Sequence, residues 1–400
     1  MTSLERRSVG SLALLYSIRM LGLFMVLPLL ALYTSDLAGA TPLMLGLALG
    51  VYGLSQALLQ IPLGWLSDRV GRKPVIVGGL LVFGFGSLVA AFADTASGLV
   101  FGRFLQGAGA IASTIMALVA DLTSEEQRTK AMAIIGASIG ASFALALVLG
   151  PVVAGIGGLS GVFYLTALLA LLGIAVVLLT VPTPEPLSAT PETGPRGRYV
   201  GRALKDTVLL KFNYGVFTLH FILMASFLVV PQLLQNKLAL VREDHWQVYL
   251  PVLILSVLGM LPLMRLAERG GRLNQVFPAA IVLVLLGLLG FWYSSSSAFF
   301  YFSLWLFFVG FNYLEASLPS LVSKRISVQG RGTAMGVYST CQFLGAFAGG
   351  AAGGLALQQF GFGAVLVLAS GLGVVWLLLC ITGRPLAVAI AESKTAGEGT

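Results

Sequence analysis

Charge is scarce in this chain. Asp, Glu, Lys and Arg together supply 10% of its 400 residues, against 57% for hydrophobic side chains. A water-facing surface needs roughly 25–35% charged residues, so a string of soluble domains is excluded. Histidine and cysteine are rarer still, with two of each. Two histidines build no metal quartet. Cys341 and Cys380 sit in apolar runs and define no disulfide framework, so they are expected as small packing residues. No G-x-x-x-x-G-K-[ST] loop occurs, so ATP is not expected to drive the protein directly. No enzyme site, metal or cofactor is expected. Segments of alternating polarity are also missing, which excludes a β-barrel.

What the chain has in abundance is long apolar runs, and the mean hydropathy is +0.94. They fall near 9–33, 42–66, 74–93, 97–121, 130–154, 159–181, 207–234, 247–267, 276–293, 298–322, 332–357 and 361–382. Each is near the ~20 residues that cross a bilayer as a helix. The first run is too long, and too interrupted by Arg19, for a cleaved signal core, so it too is read as a membrane helix. The expectation is an all-α polytopic membrane protein of twelve helices, with both termini on one side.

The cations choose the side. With the N-terminus placed in the cytoplasm, 20 of the 24 Lys and Arg residues fall in inner loops and tails, and only Lys237 and Arg242 fall outside. That imbalance orients the chain by the positive-inside rule, with both termini cytoplasmic. The net charge of +8 is therefore a membrane-topology signal, and no nucleic-acid partner is expected. Residues 182–206 are rich in Pro, Gly, Thr and charge, and read as a cytoplasmic linker between helical bundles 1–181 and 207–382. Residues 383–400 read as a short cytoplasmic tail.

The two halves repeat each other. IPLGWLSDRVGRK (61–73) aligns with LPLMRLAERGGRL (261–273), and RTKAMAI (128–134) with RGTAMGV (331–337), at offsets of 200 and 203. Two echoes at nearly one offset indicate duplication, which predicts two pseudo-symmetric six-helix bundles.

Within the first echo, Gly64, Asp68, Arg69, Gly71, Arg72 and Lys73 fill every fixed position of G-x-x-x-D-R-x-G-R-[RK]. This resembles the signature loop of the major facilitator superfamily, between its second and third helices. R-F-L-Q-G-A-G (103–109) resembles the superfamily's fourth-helix motif through Arg103, Gln106, Gly107 and Gly109. Gly150, Pro151 and Gly155 resemble the fifth-helix motif of its drug:proton antiporter group, with Ala154 departing from the final glycine pair. LPSLVSK (318–324) and TAMGVYST (333–340) are similar to phrases of a bacterial subgroup. The resemblance covers nearly the whole chain. It implies a monomeric transporter of the bacterial inner membrane, exchanging a small-molecule substrate against protons by alternating access. Uptake of a sugar or other metabolite on the same fold, and a non-transporting sensor, stay open.

Four ionisable groups lie deep in the apolar runs: Arg19, Arg103, His220 and Glu315. Charge in a bilayer costs ~2.5–3.5 kcal/mol or more, so each needs a partner, water or a task. Glu315 and His220 can exchange a proton and are the first and second candidates for coupling, with Arg103 tuning them. Each is also readable as a polar group hydrogen-bonded between helices. The resemblance puts helices 1, 4, 7 and 10 around a central cavity, where Arg19, Gln106, Phe217 and Asn312 are candidate substrate contacts. Two arginines and one deep acid lean toward neutral or anionic substrates. The resemblance further implies that Arg72 bridges to Asp121, while Asp68 meets the start of helix 11, as a switch between states. Gly150, Pro151 and Gly155 would bend helix 5, although close glycine packing explains them equally.

Overall fold

The structure, a computed structural model, describes residues 1–182, 205–293, 296–325 and 331–382. Most of the 182–206 linker and all of the 383–400 tail lie outside them. The elements are helices: α1 (Ser3–Tyr33), α2 (Pro42–Val70), α3 (Arg72–Ala91), α4 (Ala96–Ala108), α5 (Ala112–Asp121), α6 (Glu125–Leu179), α7 (Thr207–Leu238), α8 (Trp246–Glu268), α9 (Leu273–Tyr293), α10 (Ser297–Arg325), α11 (Arg331–Phe360) and α12 (Phe362–Ile381). Eleven helical stretches among the described residues are long and apolar enough to span a bilayer.

Two differences from the sequence reading change the count. The run 97–121 is not one helix but α4 and α5, broken where Gly109 and Ile111 leave helical geometry. Gly109 meets the backbone of α3 at Gly79 and Phe83, so close approach rather than propensity sets the break. The runs 130–154 and 159–181 are joined in α6, with one kink at Gly158. There φ is 63° and ψ −165°, a conformation that favours glycine. Helical geometry continues through Gly150, Pro151 and Gly155. Counting α4–α5 as one span and α6 as two gives twelve.

The chain divides into two compact units, Met1–Pro191 with Leu234–Gln247, and Glu192–Leu233 with Val248–Thr400. In the first, α1 and α6 pack through small residues. A Cβ on Gly22 would lie 2.8 Å from Thr166, and one on Gly150 2.7 Å from the Met25 carbonyl. Lipid is as apolar as leucine, so such close backbone contact, rather than escape from water, holds membrane helices together. The Thr2–Glu5 capping box starts α1, and Glu5 also accepts from the Ser124 N–H at 2.9 Å, tying the start of α6 to it. Arg242 donates to Asp36 at 2.9 Å and lies over the Tyr33 ring, which fastens the 234–247 segment to this unit.

In the second unit, Gly215 presses on Trp376, and Gly310 lies 2.5 Å, by its would-be Cβ, from the Ala280 carbonyl. Asp206 caps α7 through the N–H groups of Val208 and Leu209, and its other oxygen accepts from Arg325 at the end of α10. The outward faces carry exposed apolar side chains such as Leu58, Phe85, Leu171 and Leu289. That is the pattern of a lipid-facing surface.

Candidate functional site

In the second unit, α7, α10 and α11 bring three polar side chains together. Glu315 and His220 approach to 3.7 Å, Oε2 to Nε2. Gln342 from α11 bridges them. Its amide nitrogen donates to Glu315 Oε1 at 3.3 Å and contacts His220 Nε2 at 2.8 Å. His220 Nδ1 lies 3.1 Å from the Val216 carbonyl, one helical turn back. Glu315 Oε2 is buried without a hydrogen-bond partner, and so is the Tyr338 hydroxyl beside it. Phe311 flanks the His220 ring at 6.2 Å between centroids. Glu315 thus faces neighbouring helices, and among the described residues no Lys or Arg is a partner of it or of His220. An acid and an imidazole 3.7 Å apart, bridged by one amide, can take up, hold and release a proton.

Gln342 has no counterpart in the sequence reading. Its only signal there is an uncharged polar residue within a glycine-rich apolar helix. Of the two substrate candidates in this unit, Asn312 donates to Ser256 Oγ at 2.9 Å and links α10 to α8. Phe217 is partly exposed, and its backbone lies against Gly345.

A second polar cluster lies inside the first unit. Arg19 is 1% exposed. One of its nitrogens, Nη2, donates to Tyr52 Oη at 2.9 Å, Gln56 Oε1 at 3.1 Å and the Gly109 carbonyl at 3.3 Å. That carbonyl is among those released by the α4–α5 break, so the arginine answers irregular backbone at membrane depth. Its Nε and Nη1 have no partner. Arg103 is fully buried, bonded to the Ala48 carbonyl at 3.0 Å and to Gln106 Oε1 at 2.7 Å. Gln106 passes the chain on to Ser87 at 2.7 Å. Tyr52 links the clusters, since the Arg103 guanidinium lies 5.1 Å from the centre of its ring. Two buried cations thus converge on one tyrosine, and among the described residues none of their partners is a carboxylate.

Where α2 meets α3 in this unit, Gly71 has φ 97° and lets α3 begin directly after α2. Arg72 donates to Asp121 Oδ2 at 2.9 Å, to Ser67 Oγ at 2.7 Å and to Asp68. This ties α3 to α2 and α5. Arg69 instead stacks on Trp65, 3.6 Å from its ring centre. A Cβ on Gly64 would lie 3.2 Å from Ser113 Oγ.

The Major Facilitator Superfamily profile matches residues 12–311 and again 227–398. The chain is 43% identical over 383 residues to the inner membrane transport protein YajR of Escherichia coli K12, covering 96% of this chain and 84% of that protein. It is 26% identical over 351 residues to the multidrug resistance protein MdtH of Aeromonas hydrophila, covering 84% and 83%. Among solved structures, a D-xylose-proton symporter superposes with a TM-score of 0.77 at 14% identity, covering 96% of this chain and 98% of that one. That last likeness shows the fold alone.

Proposed function

The chain belongs to the major facilitator superfamily and is a membrane transporter rather than an enzyme; from that premise we propose that it exports small molecules across the bacterial inner membrane in exchange for protons. The observation that carries this reading is the meeting of Glu315, His220 and Gln342 inside the second unit. Placing an acid and an imidazole at membrane depth without a permanent countercharge is costly, and a proton that comes and goes offsets the cost in half of the cycle. Glu315 is the principal proton carrier, His220 its partner, and Arg103 a positioning residue for α2 and α4. Names such as that of MdtH support export over uptake. Arg19 supports a neutral or anionic substrate, because its Nε and Nη1 groups are unmet donors. Phe217 and Asn312 are candidate contacts in the second unit, and Gln106 in the first. Arg72, with Asp68 and Asp121, is the link that must open and close as the transporter changes state. Both termini lie in the cytoplasm, and the protein works as a monomer.

The test uses everted membrane vesicles with an acidified lumen and a pH-sensitive dye. A panel of neutral and anionic drugs, sugars and organic acids is first narrowed by thermal shift of the purified protein. Addition of a binding compound should release protons from the lumen. Glu315→Gln should abolish that release while leaving binding in place. Substrate movement without proton movement, or full exchange in Glu315→Gln, overturns the reading.

A further inference from the structure

The hydrogen bonds around His220 carry more than a general proton site. A backbone carbonyl only accepts, so the contact of Nδ1 with the Val216 carbonyl places the ring proton on Nδ1. In the neutral ring Nε2 is then bare, and it accepts from the Gln342 amide at 2.8 Å. The same amide has a second N–H, which goes to Glu315 Oε1. One amide thus spends both donors on two groups, and both must be unprotonated at those atoms. The proton-free pair, neutral imidazole and carboxylate, meets both requirements.

We infer that Gln342 is the positioning residue that senses the proton: it ties α11 to His220 in the proton-free pair and loses that tie when the pair is loaded. The step is a simple transfer. A proton from the aqueous phase forms an N–H bond at His220 Nε2, and the amide N–H···N hydrogen bond breaks because its acceptor lone pair is now used. The new N–H turns to Glu315 Oε2, which lies 3.7 Å away and has no hydrogen-bond partner. Attraction between opposite charges at this range exceeds a neutral hydrogen bond even in a moderately polar interior, so the ion pair wins. His220 therefore exchanges a partner on α11 for one on α10. Gln342 keeps its bond to Glu315 Oε1 only.

The glycine face of α11 makes this exchange mechanically readable. A Cβ on Gly345 would lie 2.8 Å from Phe217 Cα, and one on Gly349 2.7 Å from Phe221 Cα. These contacts bracket His220 on α7, so the register of Gln342 against the ring is set by backbone rather than by a wandering side chain. The titratable side chains beside Gln342 on α11 are Cys341 and Tyr338, the latter near enough to feel the charge of Glu315. On α10 the counterpart is Glu315 itself. The inference rests on the proton-coupling reading above.

The chain has only two histidines, His220 and His245, so isotope labelling of histidine gives two pairs of ring-nitrogen signals. Nitrogen NMR of the full-length protein in lipid nanodiscs, titrated from alkaline to acidic pH, reads tautomer and protonation together. His220, assigned by its loss in His220→Gln, should be the Nδ1–H tautomer when neutral. Gln342→Met removes the donor that holds the proton-free ring, so His220 should retain its proton about three- to tenfold more tightly. Glu315→Gln should move the titration the other way. Gln342→Asn, too short to span both groups, should behave like Gln342→Met and serves if the methionine variant folds poorly. An unchanged His245 signal certifies the fold. An Nε2–H tautomer, or a His220 titration indifferent to both Gln342 variants, overturns the inference. If Gln342 variants have no effect while Glu315→Gln still abolishes proton exchange, the relay alone fails. If Glu315→Gln changes neither, the coupling reading itself is lost.

Discussion

Arg103 is a full charge inside a membrane helix with only neutral partners, the Ala48 carbonyl and Gln106. That makes it a structural cation first, because its departure leaves the buried Gln106 Oε1 without its donor and strips the Ala48 carbonyl, inside α2, of its bond beyond the helix. Arg103→Met is expected to lower the stability of the detergent-purified protein by about 1–3 kcal/mol for the Gln106 acceptor left unmet. Arg103→Lys should recover part of the loss, since an ammonium reaches one acceptor but lacks the planar fork. A melt unchanged by Arg103→Met would contradict this role. Arg19, Arg103, His220 and Glu315 were all legible in the sequence, because charge stands out in an apolar run. Gln342, Gln56 and Ser87 were not. An uncharged polar residue in a helix gives no sign of what faces it across the bundle.

The helices themselves show where local pattern yields to packing. Hydropathy predicts a span at 97–121 but cannot place the break at Gly109–Ile111, which follows from the approach of α3 and from Arg19 answering a released carbonyl. It likewise separates the runs before and after Gly158 without showing that one positive-φ glycine joins them. The glycines of these helices look alike in sequence yet differ in consequence. A Cβ on Gly349 would collide with α7, whereas one on Gly140 meets nothing within 4 Å. Gly349→Ala is therefore expected to lower both folded yield and melting temperature sharply. Gly140→Ala should be neutral or stabilising by up to about 1 kcal/mol, since alanine is the better helix former. Equal melts for the two variants would refute the packing argument.

Across the whole molecule, orientation is a matter of charge counting. With Cys341 and Cys380 replaced by serine, a cysteine at exposed Asp94 should react with an impermeant maleimide in intact cells. A cysteine at exposed Glu126 should react only after the membrane is opened. The reverse pattern would invert the topology. Membrane residence, the helix count, the duplication and the signature loop could all be read from residue order, because a bilayer imposes length and polarity on each segment separately. Which polar atoms meet could not. The family resemblance implied the pairing of Arg72 with Asp121, which the structure shows, but the gathering of two arginines on Tyr52 and the amide between His220 and Glu315 join residues 27 to 122 positions apart with no such sign. Such contacts depend on helix rotation and register, which are set by how small residues let backbones touch, and periodicity along one helix carries no record of its neighbour.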